Sequence, residues 1–216
     1  MLKNCFLLSF LIIISFSGYS QFGMRRGFGR PIRPRFSKPR ASHQIFKPSV
    51  DISAGYGFPN EDQQQLADFQ NLYKGNVTQS GPLTGSINYH FIPGMSIGIL
   101  ATHGKVSVPY YTGFGPINLG PVLNGTLENT AVMLNLIRYM PGTPGLMPYL
   151  RTAIGVNIWQ SSFTDTQGNK IDPGPLPDLA YQVGLGAKIK FSKNSSFFIE
   201  AGYGKYILQG GISLKL

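Results

Sequence analysis

The chain has 216 residues, of which 27 are glycine and 42% are hydrophobic, while only 13% are charged. That hydrophobic share is too large for a disordered chain, the glycine lacks the three-residue period of collagen, and no apolar run reaches the roughly 18 residues of a membrane-spanning helix. The net charge of +10 is concentrated, because residues 21–49 hold eight of the 19 Lys and Arg and none of the nine Asp and Glu; a basic balance confined to one arm is no sign that the folded part binds nucleic acid.

At the amino end, Lys3 precedes an apolar stretch from Cys5 to Phe16, followed by Ser17-Gly18-Tyr19-Ser20. Gly18 and Ser20 stand where a signal peptidase needs small side chains, and the apolar stretch is too short to cross a bilayer. Residues 1–20 are therefore expected to be an export signal cleaved near Ser20-Gln21. Cys5 is the only cysteine and leaves with that signal, so disulfide and thiol chemistry are not expected of the mature chain.

Residues 21–49 are rich in Pro and Gly and show no hydrophobic period. They cannot bury enough surface to offset the entropy of ordering, and a flexible basic arm is expected. Arg25, Arg26, Arg30, Arg33, Arg35, Lys38 and Arg40 are interleaved with Phe, a mixture suited to anionic head groups or to an acidic envelope protein. A solvated spacer is the plain alternative.

From Val50 the period becomes two. Val50, Ile52, Ala54, Tyr56 and Phe58 fall on one face, with Asp51, Ser53, Gly55 and Gly57 on the other, which is the signature of a strand. The pattern is cleanest from Leu179 to Phe191. The same reading predicts strands near 50–58, 83–92, 95–105, 127–140, 146–162, 179–192, 196–205 and 207–216, the fourth being the least regular. Long connections (59–82, 106–126 and 163–178) alternate with short ones (Pro93-Gly94, Pro141–Gly145 and Lys193–Ser195), and a tight turn is placed at Lys205-Tyr206. The short connections gather at one end and the long ones at the other.

This pattern over residues 50–216 resembles the small eight-stranded outer-membrane proteins of the OmpA and OmpX type. The resemblance implies an all-β fold, an eight-stranded antiparallel up-and-down transmembrane β-barrel in the outer membrane of a Gram-negative envelope. It implies outer-membrane lipid and the outer-membrane assembly machinery as partners. The final segment still alternates up to Leu216, where that family usually closes on an aromatic residue.

A soluble barrel would alternate equally, with its apolar face inward. Three features favour the membrane version: a polar face built from Gly, Ser, Asn and Gln rather than charge, Tyr and Phe near segment ends, and small residues suited to a narrow interior. Within that interior, Arg151, Lys188 and Glu200 lie on polar strand faces at similar counts from the short turns. They are expected to form a lumen ion-pair cluster centred on Glu200. Asp51 and Lys215 share the polar face at one end of the first and last strands and are expected to pair where the barrel closes. Arg138 falls on the apolar face near a short turn, where its head can reach lipid phosphate.

No catalytic, metal or cofactor site is read from the sequence. His43, His90 and His103 have no metal-ligand spacing, and the His-x-Ser that lipid A deacylases of this architecture carry does not occur. The Gly-x-Gly pairs at Gly55, Gly184 and Gly202 sit inside strands, where glycine relieves crowding. The expected function is non-enzymatic, a structural or interaction role through surface loops and the cationic arm. The rival is a narrow channel or an accessory subunit of an envelope transport or secretion complex, and a lipid-modifying enzyme is the least favoured.

Overall fold

The computed structural model describes residues 46–66, 78–110, 123–143, 145–164, 170 and 174–216. The export signal, most of the basic arm and the aromatic 111–116 stretch of the second long loop lie outside the described residues.

Eight strands form one closed antiparallel sheet, each hydrogen-bonded to its neighbours in chain order and β1 to β8. The strands are β1 (Ser49–Asn60), β2 (Thr78–Ile92), β3 (Met95–Tyr110), β4 (Leu123–Tyr139), β5 (Leu146–Thr164), β6 (Leu179–Lys190), β7 (Ser195–Tyr203) and β8 (Tyr206–Lys215). A short 3-10 helix, Glu61–Leu66, follows β1. The architecture is that of an eight-stranded up-and-down β-barrel, and each expected strand has its counterpart.

The differences lie at strand ends. β2 begins at Thr78 because its ladder with β3 resumes beyond an irregularity between Ser80 and Leu83. β3 and β4 continue pairing well past Lys105, through Lys105↔Glu128 and Val106↔Leu127. Stretches read as loop are therefore strand, stabilised by cross-strand partners far away in sequence. The tight turn sits at Gly204-Lys205 rather than at Lys205-Tyr206, because Gly204 takes φ of +136°, a conformation that L side chains rarely adopt. Tyr206 consequently starts β8 and points into the barrel, fully buried.

The interior is less uniformly polar than the alternation predicts. Leu100, Ala131, Met133 and Ala153 form a buried apolar cluster with Ala180 on the β3 to β6 side. β4 is largely apolar on both faces, with Ala131, Met133 and Ile137 turned in beside Asn129 and Asn135, and Val132, Leu134 and Leu136 turned out. Period-two reasoning has little contrast to detect in such a strand.

Candidate functional site

Three regions carry the chemistry: the lumen, its mouth at the long-loop end, and the outer belt. In the lumen, Glu200 of β7 is buried and central. Its Oε2 lies 3.3 Å from Arg151 Nε and accepts a hydrogen bond from Tyr149 OH at 2.9 Å, while Oε1 accepts from Tyr206 OH at 2.9 Å. Arg151 Nη1 in turn donates to Tyr206 OH at 3.4 Å. A carboxylate that accepts from two phenols, beside a fully buried guanidinium whose charge it balances, is a compensated ion pair. Glycine makes the room. A methyl group at Gly184 would stand 2.5 Å from Glu200 Oε1, and one at Gly186 2.5 Å from the Tyr149 ring.

Lys188 stands apart from this group. The register sets Glu200 opposite Gly186, so Lys188, opposite Phe198, lies one inward row nearer the short turns. It reaches across the lumen to Asp51 Oδ2 at 2.8 Å and to Ser213 Oγ at 3.0 Å, and Ser213 Oγ also donates to both Asp51 oxygens. The expected three-residue cluster is thus divided into two ion pairs at different heights. Counting residues from a turn misjudges height because barrel strands are tilted and turns differ in length.

Asp51 and Lys215 are partners in the β1–β8 ladder, yet their side chains do not pair. Asp51 turns inward to Lys188, whereas Lys215 is exposed at the rim. Closure at that edge comes from the backbone, with Leu216 N donating to Val50 O at 2.8 Å. Nearby, His90 stacks on Tyr139 with ring centroids 5.2 Å apart.

At the mouth a third buried pair closes the barrel, one that sequence reasoning missed. Asp62, in the 3-10 helix, bonds Lys205 Nζ through Oδ1 at 2.5 Å and accepts from Asn129 Nδ2 at 3.1 Å. Lys205 also donates to Asn157 Oδ1 at 3.1 Å and lies 5.4 Å from the centre of the Trp159 ring. Trp159 Nε1 donates to Pro177 O at 2.9 Å. Beside this plug is a cavity of about 200 Å³, lined by residues that include Glu61, Gln64, Trp159 and Tyr181. Burial raises the Glu61 carboxyl above its usual range, the bond from Gln64 opposes that, and the charge of Asp62 adds to it. Asp62 and Lys205 were legible only as acid in a loop and base in a turn.

The outer belt decides the environment. Ile52, Ile87, Ile99, Leu134, Ile154, Leu185, Ile199 and Ile212 all face outward and are exposed, on every strand of the barrel. Tyr89, Phe91 and Phe197 border them toward the short turns, with Tyr56, Phe58 and Tyr203 toward the long loops. Above that level the outward row changes chemistry: β3 passes from Ile99 and Ala101 to His103 and Lys105, and β4 from Leu134 and Val132 to Thr130 and Glu128. Lys105 Nζ pairs with Glu128 Oε1 at 2.9 Å. From Arg138 to Thr130 the apolar stretch of β4 is about 26 Å long at 3.3 Å per residue, which when tilted covers most of a hydrocarbon core.

The chain is a transmembrane β-barrel. An apolar ring open to water on this scale would aggregate, whereas in a bilayer it is solvated, and a closed sheet leaves no backbone edge in lipid. No protein-family model matches the chain, and no curated protein matches it. Among solved structures the barrel is similar to Ail, the attachment invasion locus protein of Yersinia pestis, in complex with the heparin analogue sucrose octasulfate, at 10% identity and a TM-score of 0.43. That match covers 78% of this chain and 97% of the other. It is also similar to the N-terminal β-barrel domain of Pseudomonas aeruginosa OprF (16% identity, TM-score 0.39, 78% and 97% covered) and to the outer membrane protein OprG of the same organism (13%, 0.38, 78% and 95%). Each likeness is one of barrel architecture.

Proposed function

We infer that the protein is an integral outer-membrane barrel with a structural or interaction role, without catalytic activity. It anchors the long loops at the outer surface and holds its short turns and basic arm in the periplasm. The supporting observation is the combination of an apolar exterior with a lumen crossed by three buried ion pairs and packed with Tyr149, Tyr206 and Phe198. An eight-stranded barrel has room for side chains and little else, and here they interlock from one end to the other. Such an interior favours anchorage over passage of solute. The arm, by its charge, reaches anionic head groups or an acidic envelope partner.

Two measurements test this reading. Heat-modifiable gel mobility of the detergent-extracted membrane fraction should show a boiling-dependent shift; recovery in the soluble periplasm without a shift would overturn it. Purified protein in planar bilayers should give no stable conductance. Open steps whose size changes in Glu200→Gln would transfer support to the narrow-channel or transport-subunit reading.

A further inference from the structure

Among the described residues, charge is sorted by height along the barrel. In the lumen, Arg151 and Lys188 balance Glu200 and Asp51. Toward the long loops, Lys105, Lys170 and Lys205 stand with Glu61, Asp62, Glu128 and Asp178. At the short-turn end Lys47, Arg138, Lys190, Lys193 and Lys215 are all exposed, and no Asp or Glu side chain accompanies them outside the lumen. Asp51, the carboxylate at that level, faces inward and is held by Lys188 and Ser213.

Four of these cations follow one another around the rim. β6, β7, β8 and β1 are successive neighbours in the closed sheet. Lys190 ends β6 and Lys215 ends β8, both exposed at the rim on the inward row of their strands; Lys193 occupies the turn into β7, and Lys47 lies two residues before β1. Backbone bonds hold these ends in place: Lys215 N donates to Asn194 O of the β6–β7 turn at 2.8 Å, and Lys190 N to Gly145 O of the β4–β5 turn at 2.9 Å. Arg138 stands on the outer face of β4, where its Nη1 approaches Met95 Sδ at 3.8 Å. Phe191 and Phe197, with ring centroids 4.4 Å apart, and Tyr89 and Phe91 mark the interface at the same end. Aromatic side chains settle at head-group level, so cations immediately beyond them meet phosphate, and each Lys or Arg at an anionic surface strengthens binding about fivefold.

We propose that this arc binds the phosphates of anionic phospholipid in the leaflet at the short-turn end. The assignment rests on the transmembrane reading above and adds a ligand class and its residues. It makes the folded rim, and not the arm alone, a phosphate-binding surface that fixes the barrel's depth and polarity in the bilayer.

The test titrates the full chain in neutral detergent with phosphatidylglycerol or phosphatidylcholine and counts retained lipid by native mass spectrometry. Phosphatidylglycerol should bind at least about tenfold more tightly than phosphatidylcholine. The triple variant Lys190→Gln, Lys193→Gln, Lys215→Gln should lose about tenfold or more of that affinity, Arg138→Gln about fivefold, and Lys105→Gln at the opposite end none. A triple variant that keeps its boiling-dependent shift and its phosphatidylglycerol affinity overturns the proposal, as does a wild type that retains both lipids equally. Displacement of the lipid by polyglutamate at matched charge would reassign the arc to an acidic protein and equally overturn it. If the triple variant fails to fold, unchanged affinity in both Lys193→Gln and Arg138→Gln is decisive against it. A wild type with no shift at all would sink the membrane reading instead.

Discussion

Glu200 shows how far a single buried charge depends on its neighbours. Two phenols and a guanidinium converge on its carboxylate, Tyr149 and Arg151 from β5 and Tyr206 from β8. Substituting Glu200→Gln leaves Arg151 buried without a counter-charge, and should destabilise the barrel by about 3–5 kcal/mol. Tyr206→Phe removes one bond to a charged acceptor and should cost about 1.5–3 kcal/mol. Lys215→Gln, at an exposed residue outside any ion pair described here, should stay within about 0.5 kcal/mol. Urea midpoints of the protein folded into vesicles would rank the three, and a Glu200→Gln midpoint equal to wild type would remove the central role given to this carboxylate. The identities of Arg151 and Glu200 as lumen residues were legible because each interrupts an alternating segment on its polar face. Tyr149 and Tyr206 were not, since an aromatic residue near a strand end reads equally well as part of an interfacial girdle.

The 3-10 helix Glu61–Leu66 lies within the long connection expected at 59–82, where strand periodicity has nothing to show. It carries Asp62 to Lys205, and its Glu61 N donates to Lys205 O at 3.3 Å, so it seals the mouth against the β7–β8 turn. Trp159 is the only tryptophan of the chain and lies against Lys205, which makes it a reporter of this seal. Lys205→Met should shift Trp159 emission and raise its quenching by iodide; identical spectra would mean the plug is not as drawn. The seal should also respond to pH. Because burial favours the neutral form of Glu61, the stabilisation it gives is present at low pH and lost as pH rises through its elevated pKa, above the ordinary glutamate value. Trp159 emission should therefore show a transition in that range that Glu61→Gln lacks.

At the scale of the whole molecule, every strand pairs with both neighbours, so the sheet closes through its own backbone ladder. Deleting residues 22–47 should leave the boiling-dependent shift intact and reduce salt-sensitive binding to anionic vesicles, with the remainder carried by the rim cations that stay, Arg138, Lys190, Lys193 and Lys215. Loss of the shift on deletion would show that the arm takes part in folding. Charge at this scale is organised along the barrel axis: balanced in the lumen, cationic at the short-turn rim and mixed at the long-loop end.

The amino-acid sequence by itself determined the number of strands, their approximate positions, the split between short and long connections, and which face of most strands is apolar. These follow from local period and turn chemistry, which act between residues close in the chain. Only the tertiary structure decided which charges meet. Lys188 and Asp51 are 137 positions apart, and Lys205 and Asp62 are 143; their encounters depend on strand tilt, register and closure of β1 on β8, quantities set by the whole sheet. The direction in which the apolar faces look was indicated by the uncharged polar face and the Tyr and Phe near segment ends, since alternation itself is symmetric between inside and outside, and the closed sheet fixes it. A narrow closed barrel, filled by its own ion pairs and tyrosines, leaves those faces nowhere to go but outward.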